Sequence, residues 1–181
     1  MRQLLLLRHA QSCSGDPPLG DHARKLSARG RQDAAAIRQA MRELGLAPDI
    51  VLVSTATRTI ETLEKLHPWD ETPLIEAMES LYLAPAERML DILRDTPRTA
   101  RSVLMIGHNP GIHQLALLLA ALPPATDEVL GARHLAEGFP TAALAEFAIA
   151  GPWHGLDTGG GKLLRFLTPR DLPPRDLPPG T

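Results

Sequence analysis

Short apolar segments alternate with longer amphipathic or polar segments along most of the chain. The apolar segments at residues 4–7, 50–53 and 103–106 are short and end at polar residues or glycine, as do buried strands of a parallel sheet. Two later strands are predicted near residues 141–149 and 163–167, and a short one within residues 73–83. This pattern predicts several strands that belong to one sheet.

Helices are predicted between these strands. The first follows Ser27, a preferred N-cap residue, and ends near Gly45. Its apolar residues recur at helical spacing: Ala34, Ile37, Met41 and Leu44. Ser54 and Thr55 are predicted to cap a second helix, Pro85 to start a third, and residues 111–121 to form a fourth. Alternating strands and helices predict a three-layer α/β/α sandwich around a mostly parallel central sheet.

The domain organisation follows from length and from the C-terminal composition. The 181 residues suffice for one sizeable core and are few for two, so residues 1–168 are predicted to form a single domain. The segment Arg-Asp-Leu-Pro-Pro then occurs twice in succession within residues 170–179. Paired prolines favour an extended chain, so residues 169–181 are predicted to be a disordered tail.

Charge and hydropathy exclude several functions. The net charge is −2 and the chain has no long basic stripe, which argues against nucleic-acid binding. No apolar segment is long enough to span a bilayer, and the four apolar residues at 4–7 are too few for a signal peptide. We therefore expect a cytoplasmic protein that does not bind membranes. Its oligomeric state is not predicted by the sequence.

Three groups of residues at predicted strand ends carry candidate chemistry. His9 follows the first strand beside Arg8, and a neutral imidazole attacks phosphorus if one ring nitrogen is free. His108 lies in the turn Gly-His-Asn-Pro-Gly after another strand, where a helix N-terminus favours an anion. Arg58 follows residues 50–53 and offers a guanidinium to phosphate oxygens. Each of these residues taken alone is also compatible with a structural role, as a strand cap, a turn histidine or a surface arginine.

Taken together and in order, the three motifs resemble those of the histidine phosphatase superfamily, which has the phosphoglycerate mutase-like fold. The motifs are Arg8-His9, Ser54-x-x-x-Arg58-Thr59-x-x-Thr62 and Gly107-His108-Asn109-Pro110. The length, Leu26-Ser27-x-x-Gly30 and Leu81-Tyr82 resemble its compact SixA-type branch, a branch of phosphohistidine phosphatases. The resemblance covers about residues 3–150.

This resemblance implies a covalent phosphohistidine at His9, with Arg8, Arg58 and His108 holding the phosphoryl group. Asn109 is assigned to phosphate binding with them, and no metal or other cofactor is expected. The superfamily usually has glycine after the Arg-His pair, whereas this chain has Ala10, which would be strained at a positive φ.

Glu79 is a candidate general acid, because larger members of the superfamily carry an acidic residue in this segment. A solvated loop glutamate is the alternative interpretation of this residue. A phosphohistidine substrate has an imidazole leaving group and depends less on such an acid.

Three functions remain open at this point. The first is a phosphatase for phosphohistidine or phosphoprotein substrates, and the second is a phosphatase for a small phosphorylated metabolite. The third is a phosphate-binding module without turnover, which the presence of all four core residues disfavours. The short stretch at residues 70–84 favours an open site suited to a phosphorylated protein.

Overall fold

A computed structural model of the chain describes residues 1–14, 19–121 and 130–172. Within these residues one sheet contains β1 (Arg2–Arg8), β2 (Ile50–Ser54), β3 (Leu74–Met78), β4 (Ser102–Gly107), β5 (Leu144–Ile149) and β6 (Gly161–Leu167). The spatial order is β3-β2-β4-β1-β5-β6. The first four strands in chain order run parallel, while β5 and β6 are antiparallel to their neighbours.

Helices cover both faces of this sheet. They are α1 (Ala28–Glu43), α2 (Thr57–Lys65), α3 (Ala86–Arg94), α4 (Gly111–Ala120) and α5 (Leu130–Glu137). Successive leucines of β1 point to opposite faces: Leu5 and Leu7 pack with residues of α1 and α2, and Leu4 and Leu6 with residues of α3, α4 and α5. The predicted three-layer α/β/α sandwich is thereby confirmed.

The second helix starts differently from the prediction. Its N-cap is Ala56, which makes no side-chain capping bond. The Ser54 hydroxyl lies within 2.8 Å of a ring nitrogen of His108, and the Thr55 hydroxyl donates to Glu79. Both hydroxyls therefore bind side chains distant in sequence, and neither closes the first turn of α2.

The predicted tail also differs from the structure at its start. Pro169–Asp171 form a single 3-10 turn, closed by reciprocal hydrogen bonds between Thr168 and Asp171. Leu172 then packs against the core on the α1 and α2 face of the sheet. Residues 169–172, which the predicted tail includes, therefore have a defined conformation in the structure. Residues 173–181, with the second copy of the repeat, lie outside the described residues, and the division into domain and tail stays a prediction.

None of the helices within the described residues is both long and apolar enough to cross a membrane.

The start of α1 packs closely against the chain that follows β1. The Ser27 hydroxyl accepts from the Gly30 amide at 3.0 Å, and the Ser27 amide donates to the Gln11 carbonyl at 2.9 Å. A Cβ atom at Gly30 would lie 2.0 Å from that same carbonyl oxygen. Only glycine fits here without displacing the backbone that leads out of the candidate site.

We expect Gly30→Ala to lower the free energy of unfolding by about 3 kcal/mol, because the clash is with backbone and cannot be relieved by a side-chain rotation. Urea denaturation measures the change. Gly155→Ala is the control, since the nearest atom to its added Cβ would be 3.8 Å away. Equal losses in the two variants would contradict the close approach at Gly30.

Candidate active site

The candidate residues meet at the carboxyl ends of three adjacent strands. His9 follows β1, His108 follows β4 and Ser54 ends β2, and Arg8 lies opposite Gly107 in the parallel register. The His9 and His108 ring centroids are 5.3 Å apart. They line a pocket of about 390 Å³ with the following residues: Arg8, Gln11, Ser12, Asp21, Arg24, Arg58, Leu83, Asn109 and Thr141. The structure thus brings together all the residues predicted from the three motifs.

His9 is held with one ring nitrogen free. Its Nδ1 lies 2.8 Å from the Ala10 carbonyl oxygen, which only accepts hydrogen bonds, so Nδ1 carries the proton. Nε2 therefore keeps its lone pair. The pKa of His9 is lowered to about 4, mainly by burial and also by the charges of Arg58 and Arg8, against the raising effect of the Ala10 hydrogen bond. At neutral pH this ring is uncharged, and Nε2 has the free lone pair that a nucleophile needs.

The backbone beside His9 is tied to α2 through one hydroxyl. The Ala10 amide donates to Thr62 Oγ1 at 3.0 Å, and Thr62 Oγ1 donates to the Arg58 carbonyl at 2.7 Å. Ala10 is fully buried and its φ is not positive. Alanine in place of the usual glycine is therefore unstrained, and its methyl group fills part of the core.

Arg58 is buried and both of its terminal nitrogens are hydrogen-bonded. The side chain is 3% exposed. Nη1 donates to the Asp21 carbonyl at 2.7 Å, and Nη2 donates to Asp21 Oδ2 at 3.0 Å and to His108 Nδ1 at 3.3 Å. These bonds fix the guanidinium between Asp21 and the His108 ring.

The tautomer of His108 follows from its partners. Nδ1 accepts from Arg58, so Nε2 carries the proton and donates to Ser54 Oγ at 2.8 Å. The pKa of His108 is lowered to about 3, mainly by burial and also by His9 and Arg58. The ring is neutral at pH 7 in this arrangement, and a phosphoryl dianion beside it would raise its pKa.

Arg8 and Asn109 converge on one carbonyl oxygen. Arg8 Nη1 and Asn109 Nδ2 both donate to the Phe139 carbonyl, at 3.0 and 2.9 Å. Both residues also line a second, larger cleft of about 770 Å³, which shares Gln11 and Thr141 with the pocket around His9. The two depressions are therefore contiguous, with Arg8 and Asn109 at their boundary.

Asp21, Arg24 and Tyr82 also belong to the site, although sequence analysis assigned them no role. Asp21 binds Arg24 Nη1 at 3.0 Å and the Tyr82 hydroxyl at 2.7 Å, besides Arg58. The Tyr82 hydroxyl, followed by Arg24 and Arg58, holds the pKa of Asp21 well below its usual range, so its carboxylate is ionised. In the sequence, only Leu81-Tyr82 pointed to Tyr82, as part of the family resemblance. Asp21 and Arg24 lie in the polar stretch between the first strand and the first helix, which resembles a surface loop.

Glu79 is not placed among the residues that line this pocket. Thr55 donates to its carboxylate, and His22 Nε2 lies 3.6 Å from the same carboxylate oxygen. The Glu79 side chain is 73% exposed. The predicted general acid therefore faces solvent beside the site, and its role stays a prediction.

The pocket is strongly positive. Among the described lining residues, Arg8, Arg24 and Arg58 against the carboxylate of Asp21 leave a formal charge of +2 when both histidines are neutral. This charge matches a phosphoryl dianion. Across the residues that the structure describes, no cluster of three His, Cys, Asp or Glu side chains is arranged to hold a metal ion.

The lowered pKa values predict how the folded state responds to acid. Both buried rings bind protons less readily than in the unfolded chain, whose histidines titrate near 6.5. We therefore expect the free energy of unfolding to fall as the pH drops from about 6.5 towards 4, because the unfolded chain binds more protons over this range. Ring NMR titration, with His9→Ala and His108→Ala for assignment, is expected to show both midpoints below pH 5. Midpoints near 6.5 would contradict the described burial.

Comparison with known sequences agrees with this geometry. The family model of the histidine phosphatase superfamily (branch 1) matches residues 4–81. An uncharacterized protein of Mycobacterium tuberculosis strain H37Rv is 34% identical over 164 residues, which are 91% of this chain and 100% of that protein. An uncharacterized chloroplastic protein of Arabidopsis thaliana is 31% identical over 179 residues, covering 93% and 78% of the two chains.

Solved structures extend the agreement to the fold. A Nakamurella multipartitia protein with the provisional name phosphohistidine phosphatase SixA is 28% identical, with a TM-score of 0.80 over 93% of this chain and 96% of that one. A protein histidine phosphatase SixA complexed with tungstate, 21% identical, shares the fold with a TM-score of 0.74 over 93% and 98%. The chain belongs to the histidine phosphatase superfamily, in its compact SixA-type branch, and is a phosphatase with the phosphoglycerate mutase-like fold.

Proposed function

We propose that this phosphatase removes the phosphoryl group from phosphohistidine on protein substrates, through a phosphohistidine intermediate at His9 and without a metal ion. The observation that carries the proposal is the chemistry of the pocket. Among the described residues it combines an uncharged imidazole with three guanidinium groups and one carboxyl group, Asp21, which is ionised. The pocket therefore offers a nucleophile and positive charge, but its carboxyl group has no proton to give to a leaving group.

The first step is an in-line displacement at phosphorus. The Nε2 lone pair of His9 forms a new N–P bond while the N–P bond of the substrate breaks, and the leaving imidazole nitrogen takes up a proton from solvent. The Ala10 carbonyl oxygen, which accepts the hydrogen bond from Nδ1 of His9, stabilises the positive charge that develops on the ring as Nε2 bonds to phosphorus. In the second step water attacks the phosphorus of phospho-His9, inorganic phosphate leaves, and Nε2 regains its lone pair.

The remaining predicted residues bind the transferring group. Arg8, Arg58 and His108 face the phosphoryl oxygens. In this partly dehydrated site, fixed positive groups stabilise the negative charge on those oxygens. Asn109 shares the Phe139 carbonyl with Arg8 and so positions that guanidinium. These groups provide the electrostatic stabilisation that a metal ion supplies in other phosphatases.

The leaving group is the main argument for a phosphohistidine substrate. An alkoxide leaving group requires a proton in the transition state, whereas a substituted imidazole is a better leaving group. Glu79 is the candidate acid for oxygen leaving groups, and its exposure beside the pocket makes it a poor donor to a deeply bound phosphoryl group. We therefore expect Glu79→Gln to lower the turnover of esters more than that of phosphohistidine.

The shape of the site supports a protein substrate. The cleft of about 770 Å³ continues directly from the pocket around His9 and is open along α1, α5 and the 3-10 turn at residues 169–171. A folded partner that presents its phosphohistidine on a convex surface fits such an opening. The SixA-type names of the similar structures agree with this substrate class. A cytoplasmic location stays a prediction from the sequence.

The test is phosphate release from a histidine-phosphorylated carrier protein, measured beside a panel of small phosphate esters and in the presence of a metal chelator. We expect fast release from the carrier, slow release from the esters, and none with His9→Ala. Preference for an ester would move the function to a small phosphorylated metabolite. Binding of the phosphorylated carrier without release would make the protein a phosphate-binding module.

A further inference from the structure

Asp21 holds the position on Arg58 that an incoming phosphoryl group requires. Both terminal nitrogens of the buried Arg58 guanidinium point to this one residue, Nη1 to its carbonyl and Nη2 to its carboxylate. The same carboxylate accepts from the Tyr82 hydroxyl and from Arg24. Two cations and a hydroxyl around one anion form the kind of donor set that binds phosphate.

We propose that Asp21 is a resident anion, which substrate displaces from Arg58 when the phosphoryl group binds. The proposal rests on the proposed function, because it takes this pocket to be the phosphoryl site. Displacement of the carboxylate frees Nη2 of Arg58 and the hydroxyl of Tyr82 for the phosphoryl oxygens, and movement of the Asp21 backbone carbonyl frees Nη1 as well. Asp21 thereby sets the affinity of the site for anions.

The surroundings of Asp21 allow it to leave. Its side chain is 45% exposed, whereas that of Arg58 is 3% exposed, so the carboxylate can move into water while the guanidinium cannot. Leu19 and Gly20 before it are exposed, and Gly20 has a φ of 74°. Besides Arg58 Nη1, two amides donate to the backbone around Asp21: the Arg24 amide to the Asp21 carbonyl at 3.2 Å and the Thr57 amide to the His22 carbonyl at 3.0 Å.

The charge balance explains why a resident anion is useful. Without a negative partner, Arg58 would be a buried charge next to Arg8 and Arg24, and burying an unpaired charge is costly. Asp21 neutralises the charge of Arg58 when no substrate is bound. Small monoanions then have to compete with a carboxylate already bound by three donors, whereas a phosphoryl dianion carries twice the charge and three acceptor oxygens. The arrangement selects for the dianion.

Tungstate is the probe for the test, since it is an inert tetrahedral dianion. We expect Asp21→Asn to lower the tungstate dissociation constant about tenfold, because a neutral amide competes less well for Arg58 than a carboxylate. Asp91→Asn is the matched control: Asp91 also pairs with an arginine at 3.0 Å and is 58% exposed, but lies on α3 outside the pocket. Weaker tungstate binding in Asp21→Asn would overturn the proposal, because Asp21 would then be a permanent brace for Arg58.

A double-mutant cycle separates displacement from simple repulsion between charges. If Asp21 competes for Arg58, the gain from Asp21→Asn disappears when Arg58 is also replaced by alanine. An equal gain in both backgrounds would overturn the proposal, since Asp21 would then repel the anion through space. This binding assay needs no turnover, so it also stays decisive if phosphohistidine proves not to be the substrate.

Hydrogen exchange on the unmodified protein gives an independent readout. Saturating tungstate is expected to speed exchange of the Arg24 and Thr57 amides, which hold the chain around Asp21 in place. Slower or unchanged exchange at both amides would contradict the release of Asp21.

Discussion

Replacing His9 with alanine is expected to lower kcat by at least about 10⁴-fold, because the reaction loses the atom that forms the covalent bond to phosphorus. The three arginines of the pocket remain in place, so tungstate binding should change little. Initial rates of phosphate release measure the loss. Alkaline quenching during turnover of the unmodified protein should trap a phosphohistidine at His9, since N–P bonds of this kind survive base.

His154→Ala is the matched control for this variant. His154 is exposed and lies in the 3-10 turn Trp153–Gly155, outside the pocket around His9. Its rates should stay within about twofold of the unmodified protein, as for most surface substitutions. Turnover by His9→Ala comparable to the control would refute the proposed mechanism, and trapped phosphate on another residue would reassign the nucleophile.

Replacing Arg58 with alanine is expected to reduce kcat/KM by about 10³-fold, mostly through kcat. The guanidinium is 3% exposed and lies 3.3 Å from His108, so its charge acts on the transferring phosphoryl group with little screening by water. Arg58 also contributes to the lowered pKa of His108, although burial is the largest cause. We therefore expect the pKa of His108 to rise in Arg58→Ala, which ring NMR can follow in the same samples.

Two further variants test whether the effect of Arg58→Ala depends on the guanidinium shape and on its position in the pocket. Arg58→Lys keeps the charge but loses the planar fork that binds two atoms at once, so we expect it to recover about tenfold of the loss or less. Arg42→Ala removes a half-exposed arginine that pairs with Asp70 outside the pocket, and its kinetics should not change. A loss confined to KM in Arg58→Ala would show that Arg58 binds substrate without stabilising the transition state.

The carboxyl ends of the strands explain why the main site residues were predictable. Arg8, His9 and His108 each lie within two residues of the end of an apolar segment. Such segments form the central strands of an α/β sheet, and ligands bind at the carboxyl ends of those strands. The motif around Arg58 has the same position relative to β2. Local hydrophobic pattern and motif order were therefore enough to predict both the sandwich and the four central side chains.

The capping of α2 and the tail show where local signals failed. Ser54 and Thr55 are good cap residues by type, but His108 and Glu79 engage their hydroxyls across the fold. Residues 169–172 begin the proline-containing tail, yet Leu172 packs on the core. In both cases the observed contact is one that local sequence preference does not predict.

The amino-acid order alone thus determined the alternation of strands and helices and the choice of His9, Arg8, Arg58 and His108 as site candidates, because each belongs to a short motif beside a predicted strand. Only the tertiary structure decided that Asp21 binds Arg58, 37 residues away, and Tyr82, 61 residues away, and that Thr62 supports the backbone beside His9. These contacts depend on the strand order β2-β4-β1, which differs from the order along the chain. The periodicity of a sequence describes single helices and strands and does not predict contacts across three strands. The charge and hydrogen-bond network of the pocket therefore forms only when the sheet has formed.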